Sequence, residues 1–140
     1  MWGRNMPLSH VNFEWPTQDM LDQWEPDVAI KSIELKNAGS LFISAVQVNL
    51  TNGQSSPVFS NTLYMHENPR TMNFDQNNKP VRRVAGGDCE TQVSQVVFYD
   101  AAGDVIDSYW HNVCGESLIV HDLGEDEHLI GVYGIKDDNF

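Results

Sequence analysis

The stretch TQVSQVVFYDAAGDVIDSYW, residues 91–110, carries the clearest strand pattern in the chain. Along its first half apolar residues recur with a period of two, and Val96 and Phe98 point to one face of the predicted strand. The run Asp-Ala-Ala-Gly at residues 100–103 is a turn signal, and residues 104–110 return as a second strand. The stretch therefore predicts an antiparallel hairpin within a β-sheet.

The same pattern recurs through the rest of the chain. Asn52-Gly53 is a dipeptide typical of tight hairpin turns, because both positions tolerate positive φ. An acidic turn at residues 124–127 joins two further apolar runs and predicts another hairpin. No helical stripe appears after residue 27. We therefore predict an all-β sandwich, barrel or prism of about eight to ten short antiparallel strands. Besides the two in residues 91–110, the predicted strands lie at residues 29–35, 41–50, 56–65, 80–87, 116–123 and 127–135.

Residues 1–27 differ from the rest of the chain, since they hold three prolines and little periodicity. Within them, residues 16–24 predict a short helix with Thr17 as its N-cap. We therefore divide the chain into an irregular N-terminal arm, residues 1–27, and one all-β domain, residues 28–140.

Two segments are candidates for contact with a partner. The arm carries Trp2, Trp15 and Trp24, which are costly to leave in water and therefore pack either on the domain or on another protein. Residues 66–80 are polar and rich in Asn and Pro, which predicts a long loop that is functional or loosely ordered.

The net charge of −12 over 140 residues excludes several classes of partner. Nucleic acid and anionic membrane surfaces would be repelled. No apolar run is long enough to span a bilayer and no signal peptide is visible, which favours a cytoplasmic protein or a member of an intracellular assembly. The two cysteines, Cys89 and Cys114, are expected to be free thiols, with one disulfide bridge as the alternative if neighbouring strands bring them together.

The residue types needed for catalysis or metal binding do not occur at usable spacings. His121 and His128 flank the acidic turn, but no zinc-ligand spacing and no calcium-binding loop is present. No Gly-x-Ser-x-Gly motif occurs, and the acidic neighbours of Cys89 raise the pKa of its thiol and so disfavour a nucleophilic role. We therefore expect no cofactor and no enzymatic activity.

The C-terminal half resembles the jacalin-related, β-prism lectins. The strand–turn–strand unit VSQVVFYDAAGDVI, followed by the run EHLIGVYGIKDD at residues 127–138, resembles the family's hydrophobic strand and its Gly-x-x-x-Asp sugar-binding loop. The resemblance implies that Gly134 and Asp138 belong to this loop and that Asp138 accepts hydrogen bonds from sugar hydroxyls. Asp137 is the alternative if the register shifts by one residue. Tyr133, an aromatic residue beside the loop, completes the predicted ligand-binding set.

Two functions follow as expectations. The first is a non-catalytic, lectin-like recognition module that binds a glycan or a partner protein through C-terminal loops. The alternative is a structural subunit of a homo- or hetero-assembly without sugar binding, which packs through the tryptophan-bearing arm and residues 66–80.

Overall fold

A computed structural model describes residues 10–38, 42–60, 67–89, 92–110 and 119–137. In these ranges the chain forms ten strands and one short helix. The helix is α1 (Gln18–Asp22). The strands are β1 (His10–Trp15), β2 (Ile30–Ala38), β3 (Phe42–Leu50), β4 (Phe59–Ser60), β5 (Glu67–Asn73), β6 (Arg83–Cys89), β7 (Gln92–Tyr99), β8 (Val105–Trp110), β9 (Ile119–Asp122) and β10 (Val132–Asp137).

Within the described ranges the strands form three sheets, and every pairing is antiparallel. One four-stranded sheet has the order β4-β3-β2-β5, and a second has the order β8-β7-β6-β9. The third is the pair β1-β10. Three sheets around one core are the arrangement of a β-prism, and the prediction of an all-β fold with eight to ten short strands is confirmed.

The hairpin predicted from residues 91–110 is present as β7 and β8. The amide of Asp100 donates to the carbonyl of Asp104 at 2.9 Å, which closes the turn. The carboxylate of Asp100 accepts the amides of Ala102 and Asp104, also at 2.9 Å. Gly103 has a φ of 87°, a conformation that favours glycine. The turn chemistry therefore explains why this hairpin was predictable from sequence.

The hydrophobic core lies between the sheets. Its fully buried side chains include Ile30, Leu50 and Met72 from the first four-stranded sheet. Phe74 meets Phe98 edge to face with ring centroids 4.9 Å apart, which links the two four-stranded sheets. Burial of each such apolar side chain stabilises the fold by about 1.5–3 kcal/mol.

The N-terminal segment differs from the irregular arm that we predicted. Residues 10–15 form β1, whose Trp15 lies opposite Val132 and whose Phe13 lies opposite Gly134 of β10. Apolar residues alternate along β1 with a period of two, which is the pattern of a strand with one buried face. The predicted helix is confirmed as α1, and the Thr17 hydroxyl accepts the amide of Met20 at 3.4 Å.

We predicted one long loop at residues 66–80, and this prediction is wrong. Residues 67–73 are strand β5, which pairs with β2 along one edge of its sheet. Six of its seven residues are exposed and only Met72 is buried. Because an exposed edge strand can be polar on both faces, it lacks the alternation by which strands are recognised.

The hairpin predicted around residues 124–127 is also absent. β9 pairs with β6, whereas β10 pairs with β1, so the two strands belong to different sheets. His121 and His128 therefore do not face each other across a hairpin. In the described residues no helix is long and apolar enough to cross a bilayer.

Candidate functional site

The described C-terminal residues predicted to bind a ligand all lie in one strand, whereas we expected a loop from Gly134 onward. Tyr133, Gly134 and Asp137 belong to β10, opposite Glu14, Phe13 and His10 of β1 in that order. The loop expected at residues 134–138 is therefore wrong for residues 134–137, because β1 supplies a partner for that segment. Asp138 lies outside the described residues.

The predicted partner-binding tryptophans have different surroundings. Trp15 is only 7% exposed and packs in the hydrophobic core, so it stabilises the domain itself. Trp24 is half-buried at the edge of the core, and its indole Nε1 donates to the carbonyl of Val28 at 3.1 Å. Trp2 lies outside the described residues. Packing in the core thus explains the burial of Trp15, whereas one side of the Trp24 side chain is exposed to solvent.

The loops of the described chain meet at one end of the prism, which we call the loop end. β2, β6, β8 and β10 begin there, and β1, β3, β5, β7 and β9 end there. Hydrogen bonds join the loops, for example from the amide of Leu123 to the carbonyl of Arg82 at 2.8 Å. The loop end comprises residues 16–29, 51–55, 74–82, 100–104 and 123–131.

Residues 123–131 form the C-terminal loop, which leads into β10. Its turn is closed by the amide of Glu127, which donates to the carbonyl of Gly124 at 3.0 Å, and by the amide of Gly124, which donates to Glu127 Oε1 at 2.6 Å. The guanidinium of Arg82 donates to the carbonyls of Glu127 at 3.1 Å and Glu125 at 3.4 Å. The loop backbone is therefore held in place, while the side chains of Glu125 and Asp126 are exposed.

A second polar loop, residues 74–82, contacts the C-terminal loop through the hydrogen bonds of Arg82. Asp75 accepts both the amide and the side-chain Nδ2 of Asn78, at 3.2 and 2.9 Å. The side-chain hydrogen bond from Asn78 is the main cause that lowers the pKa of Asp75 below its usual value. Lys79 Nζ lies 3.6 Å from the carboxylate of Asp100, which joins this loop to residues 100–104.

The adjacent arginines Arg82 and Arg83 have separate partners. Arg83 Nε donates to Asp122 Oδ1 at 2.5 Å, and this hydrogen bond is the main cause that lowers the pKa of Asp122. Arg83 thus makes a surface salt bridge, whereas Arg82 anchors the C-terminal loop. Among the described residues no group of three His, Cys, Asp or Glu side chains could hold a metal ion.

A shallow groove of about 410 Å³ lies elsewhere at the loop end, between α1 and the turn after β3. Met20, Trp24 and Glu25 line one wall. Asn52 and Gln54 line the other, and Asn52 Nδ2 donates to Gln54 Oε1 at 2.9 Å. Of these residues only Trp24 was predicted to contact a partner, because the two walls are brought together by tertiary packing alone.

Comparison with known proteins gives a result at the level of structure only. No protein-family model matches the sequence, and no curated protein matches it. A prostate-specific WGA16 glycoprotein lectin superposes with a TM-score of 0.67 and 15% identity, over 96% of this chain and 85% of that one.

Two further solved structures are similar. A single-chain recombinant jacalin has a TM-score of 0.63 and 16% identity, over 95% of this chain and 81% of that chain. A galactose-binding lectin from champedak, solved with Gal(β)1,3-GalNAc, has a TM-score of 0.56 and 16% identity, over 76% and 81%. All three of these neighbours are lectins. The chain therefore has the β-prism fold of the jacalin-related lectins.

Proposed function

We propose that this protein is a non-catalytic, lectin-like module that binds a glycan through its C-terminal loops. The observation that carries the proposal is the similarity of fold to lectins over almost the whole chain. Because one fold can serve several functions, similarity of fold is not enough, and the loops must also have the position and chemistry of a sugar-binding site.

The C-terminal loop, residues 123–131, has the chemistry that sugar recognition needs. Glu125 and Asp126 present exposed carboxylates, which accept hydrogen bonds from hydroxyl groups. Arg82 holds the backbone of the loop through two carbonyls. A loop that is already ordered loses less conformational entropy when a ligand binds. We therefore place the glycan at this loop.

The residues implied by the family resemblance form a second position for the same function. Of these, Tyr133, Gly134 and Asp137 lie along β10, which leads away from the loop end, and Asp138 follows Asp137 in the sequence. The rise along the strand separates Val132 from Asp137 by about 17 Å. A single monosaccharide at the C-terminal loop cannot also contact Asp137, so substitutions distinguish the two positions.

A glycan array tests the function and the two positions together. The wild type is compared with three variants that each lose one carboxylate: Asp126→Ala at the C-terminal loop, Asp138→Ala at the other position, and Glu67→Ala as an exposed control in β5. Gal(β)1,3-GalNAc is the first probe, since one structural neighbour was solved with it. We expect the wild type and Glu67→Ala to bind and Asp126→Ala to lose binding. If only Asp138→Ala loses glycan binding, the site is at Asp138 and not at the C-terminal loop. A wild type that binds no glycan would refute the proposal.

Assembly with another protein is the second candidate, and one observation favours it. β9 pairs only with β6 among the described strands, and its Ile119 and Val120 are 58% and 49% exposed. The contacts first predicted for assembly have less support, because Trp15 is in the core and residues 67–73 are a strand. Light scattering of the wild type and of Ile119→Lys over a range of concentrations tests this candidate. A wild type that is monomeric throughout would exclude self-assembly.

A further inference from the structure

The groove between α1 and the turn after β3 combines an aromatic wall with a polar wall. The indole of Trp24 is fixed, because its Nε1 donates to the Val28 carbonyl and the ring packs at the edge of the core. Met20 lies beside it and is half-buried. The helix that carries Met20 begins at its Thr17 cap, so the aromatic wall is attached to regular structure.

The opposite wall supplies hydrogen-bonding groups that are also fixed. The side chains of Asn52 and Gln54 are joined by a hydrogen bond of 2.9 Å, and Asn52 Oδ1 accepts the amide of Gln54 at 3.0 Å. The amide of Leu50 donates to the carbonyl of Gln54 at 2.8 Å, which ties this turn to the end of β3. Each of the two amides retains hydrogen-bonding capacity toward a ligand.

We infer that this groove is a second saccharide-binding subsite, separate from the C-terminal loop, in which one sugar ring packs against Trp24 and its hydroxyls bond to Asn52 and Gln54. The inference rests on the proposed glycan-binding function and extends it to a longer or branched glycan. An aromatic face suits the apolar C–H face of a pyranose, and side-chain amides both donate to and accept from hydroxyls. The groove volume of about 410 Å³ falls within the range of small-ligand sites.

The charge around the groove determines which sugars it takes. Glu25 lies in the wall, and among the residues that the structure describes no lysine or arginine lines the groove. The whole chain carries a net charge of −12. Carboxylated or sulfated sugars would be repelled, so the ligand is a neutral hexose or N-acetylhexosamine unit.

The test uses the full chain and two readouts. Methyl glycosides of galactose, glucose, mannose and N-acetylgalactosamine are titrated into ¹⁵N-labelled wild type, and the Trp24 indole signal is assigned by its loss in Trp24→Phe. In parallel the glycan array is read for Trp24→Leu and Gln54→Ala, with Glu67→Ala as the control. Gln54 is exposed, so Gln54→Ala keeps the test valid even if Trp24→Leu weakens the fold. Circular dichroism checks that each variant is folded.

We expect at least one neutral glycoside to shift the Trp24 indole signal, and the groove variants to weaken glycan binding about three- to tenfold. If Asp126→Ala abolishes binding while the groove variants bind like the wild type and the Trp24 signal stays unmoved, the groove is not a subsite and the proposed function stands. If the groove variants alone lose binding, the subsite stands and the C-terminal loop is not the site. If the wild type binds no glycan in either measurement, both inferences are wrong.

Discussion

The carbonyl oxygen of Trp15 occupies the position that the Cβ of any side chain at residue 131 would need. A Cβ placed on Gly131 would overlap this oxygen and the Cδ of Pro16, and would lie 2.9 Å from the Pro16 nitrogen. Two of these atoms belong to the backbone, so no side-chain rotation relieves the overlap. The contact joins the end of β1 to the start of β10, the strand that follows the proposed glycan-binding loop.

Gly131→Ala is therefore expected to destabilise the protein. The added methyl group must displace either the backbone of β1 or the C-terminal loop, at a cost of about 1–3 kcal/mol or more in the free energy of unfolding. Urea denaturation followed by tryptophan fluorescence measures the loss.

Gly124→Ala is the matched control for this substitution. A Cβ on Gly124 would meet only the carboxylate end of Glu127, at 3.3 Å, and that flexible side chain can move. Its effect should therefore be much smaller. Equal stability of Gly131→Ala and the wild type would contradict the described packing of β1 against β10.

The fold was predictable where its signals are local, as in the β7–β8 hairpin. There, alternating strands flank an Asp-bearing turn that ends in Gly103. β5 was missed because an edge strand with one buried residue, Met72, carries almost no hydrophobic pattern. Long-range pairing explains the remaining errors, since no local feature of β10 shows that residues 10–15 will supply its partner.

The candidate site was less predictable than the fold for the same reason. Gly134 and Asp137 match a spacing pattern, but spacing alone does not distinguish a loop from a strand whose partner is more than 100 residues away. The groove at Trp24 was missed as a site because Gln54 approaches Trp24 only in the folded protein. The sequence points to Trp24 by its residue type, but its neighbours in the groove follow only from the tertiary structure.

Arg82→Met should loosen the C-terminal loop. Methionine keeps the apolar stem of the arginine but removes the hydrogen bonds to the carbonyls of Glu125 and Glu127. We expect faster hydrogen exchange in residues 124–129 and a loss of about 1 kcal/mol in the free energy of unfolding.

Arg83→Met is the control for the loop, because it removes an adjacent arginine of the same size. Its guanidinium bonds to Asp122, not to the C-terminal loop, and exposed ion pairs contribute little to stability. Hydrogen exchange in residues 124–129 should stay at the wild-type rate. Faster exchange in both variants to the same degree would mean that Arg82 has no special role.

Asp122 should titrate below the usual carboxyl pKa because it accepts a hydrogen bond from Arg83. Since the pKa in the folded state is lower than in the unfolded chain, the pair stabilises the fold above about pH 4 and this contribution is lost as the pH falls through the folded pKa. In Arg83→Met the pKa of Asp122 should rise toward its usual value. Carboxyl ¹³C chemical shifts measured against pH give both values, with Arg82→Met as the control that leaves the Asp122 pKa low.

Ser56→Ala should cost more stability than Ser55→Ala at the adjacent exposed serine. The hydroxyl of buried Ser56 accepts the amide of Val48 at 2.9 Å and donates to the carbonyl of Pro57 at 2.7 Å. Val48 is fully buried, so its amide would lose its partner in a place that water does not readily reach. Such an unsatisfied donor costs about 1–3 kcal/mol.

Ser55→Ala completes the comparison, because Ser55 is exposed and its hydroxyl donates only to the side chain of Asn49. Surface changes of this kind usually alter stability by less than about 0.5 kcal/mol. The Ser56 hydroxyl accepts the Val48 amide, and the Ser56 amide donates to the Val48 carbonyl, so Ser56→Ala should also show faster exchange of these two amides. These contacts follow directly on residues 51–55, the turn that carries Gln54. A loss in Ser56→Ala no greater than in Ser55→Ala would show that the Val48 amide finds another acceptor, and that the polar wall of the groove is not anchored through Ser56.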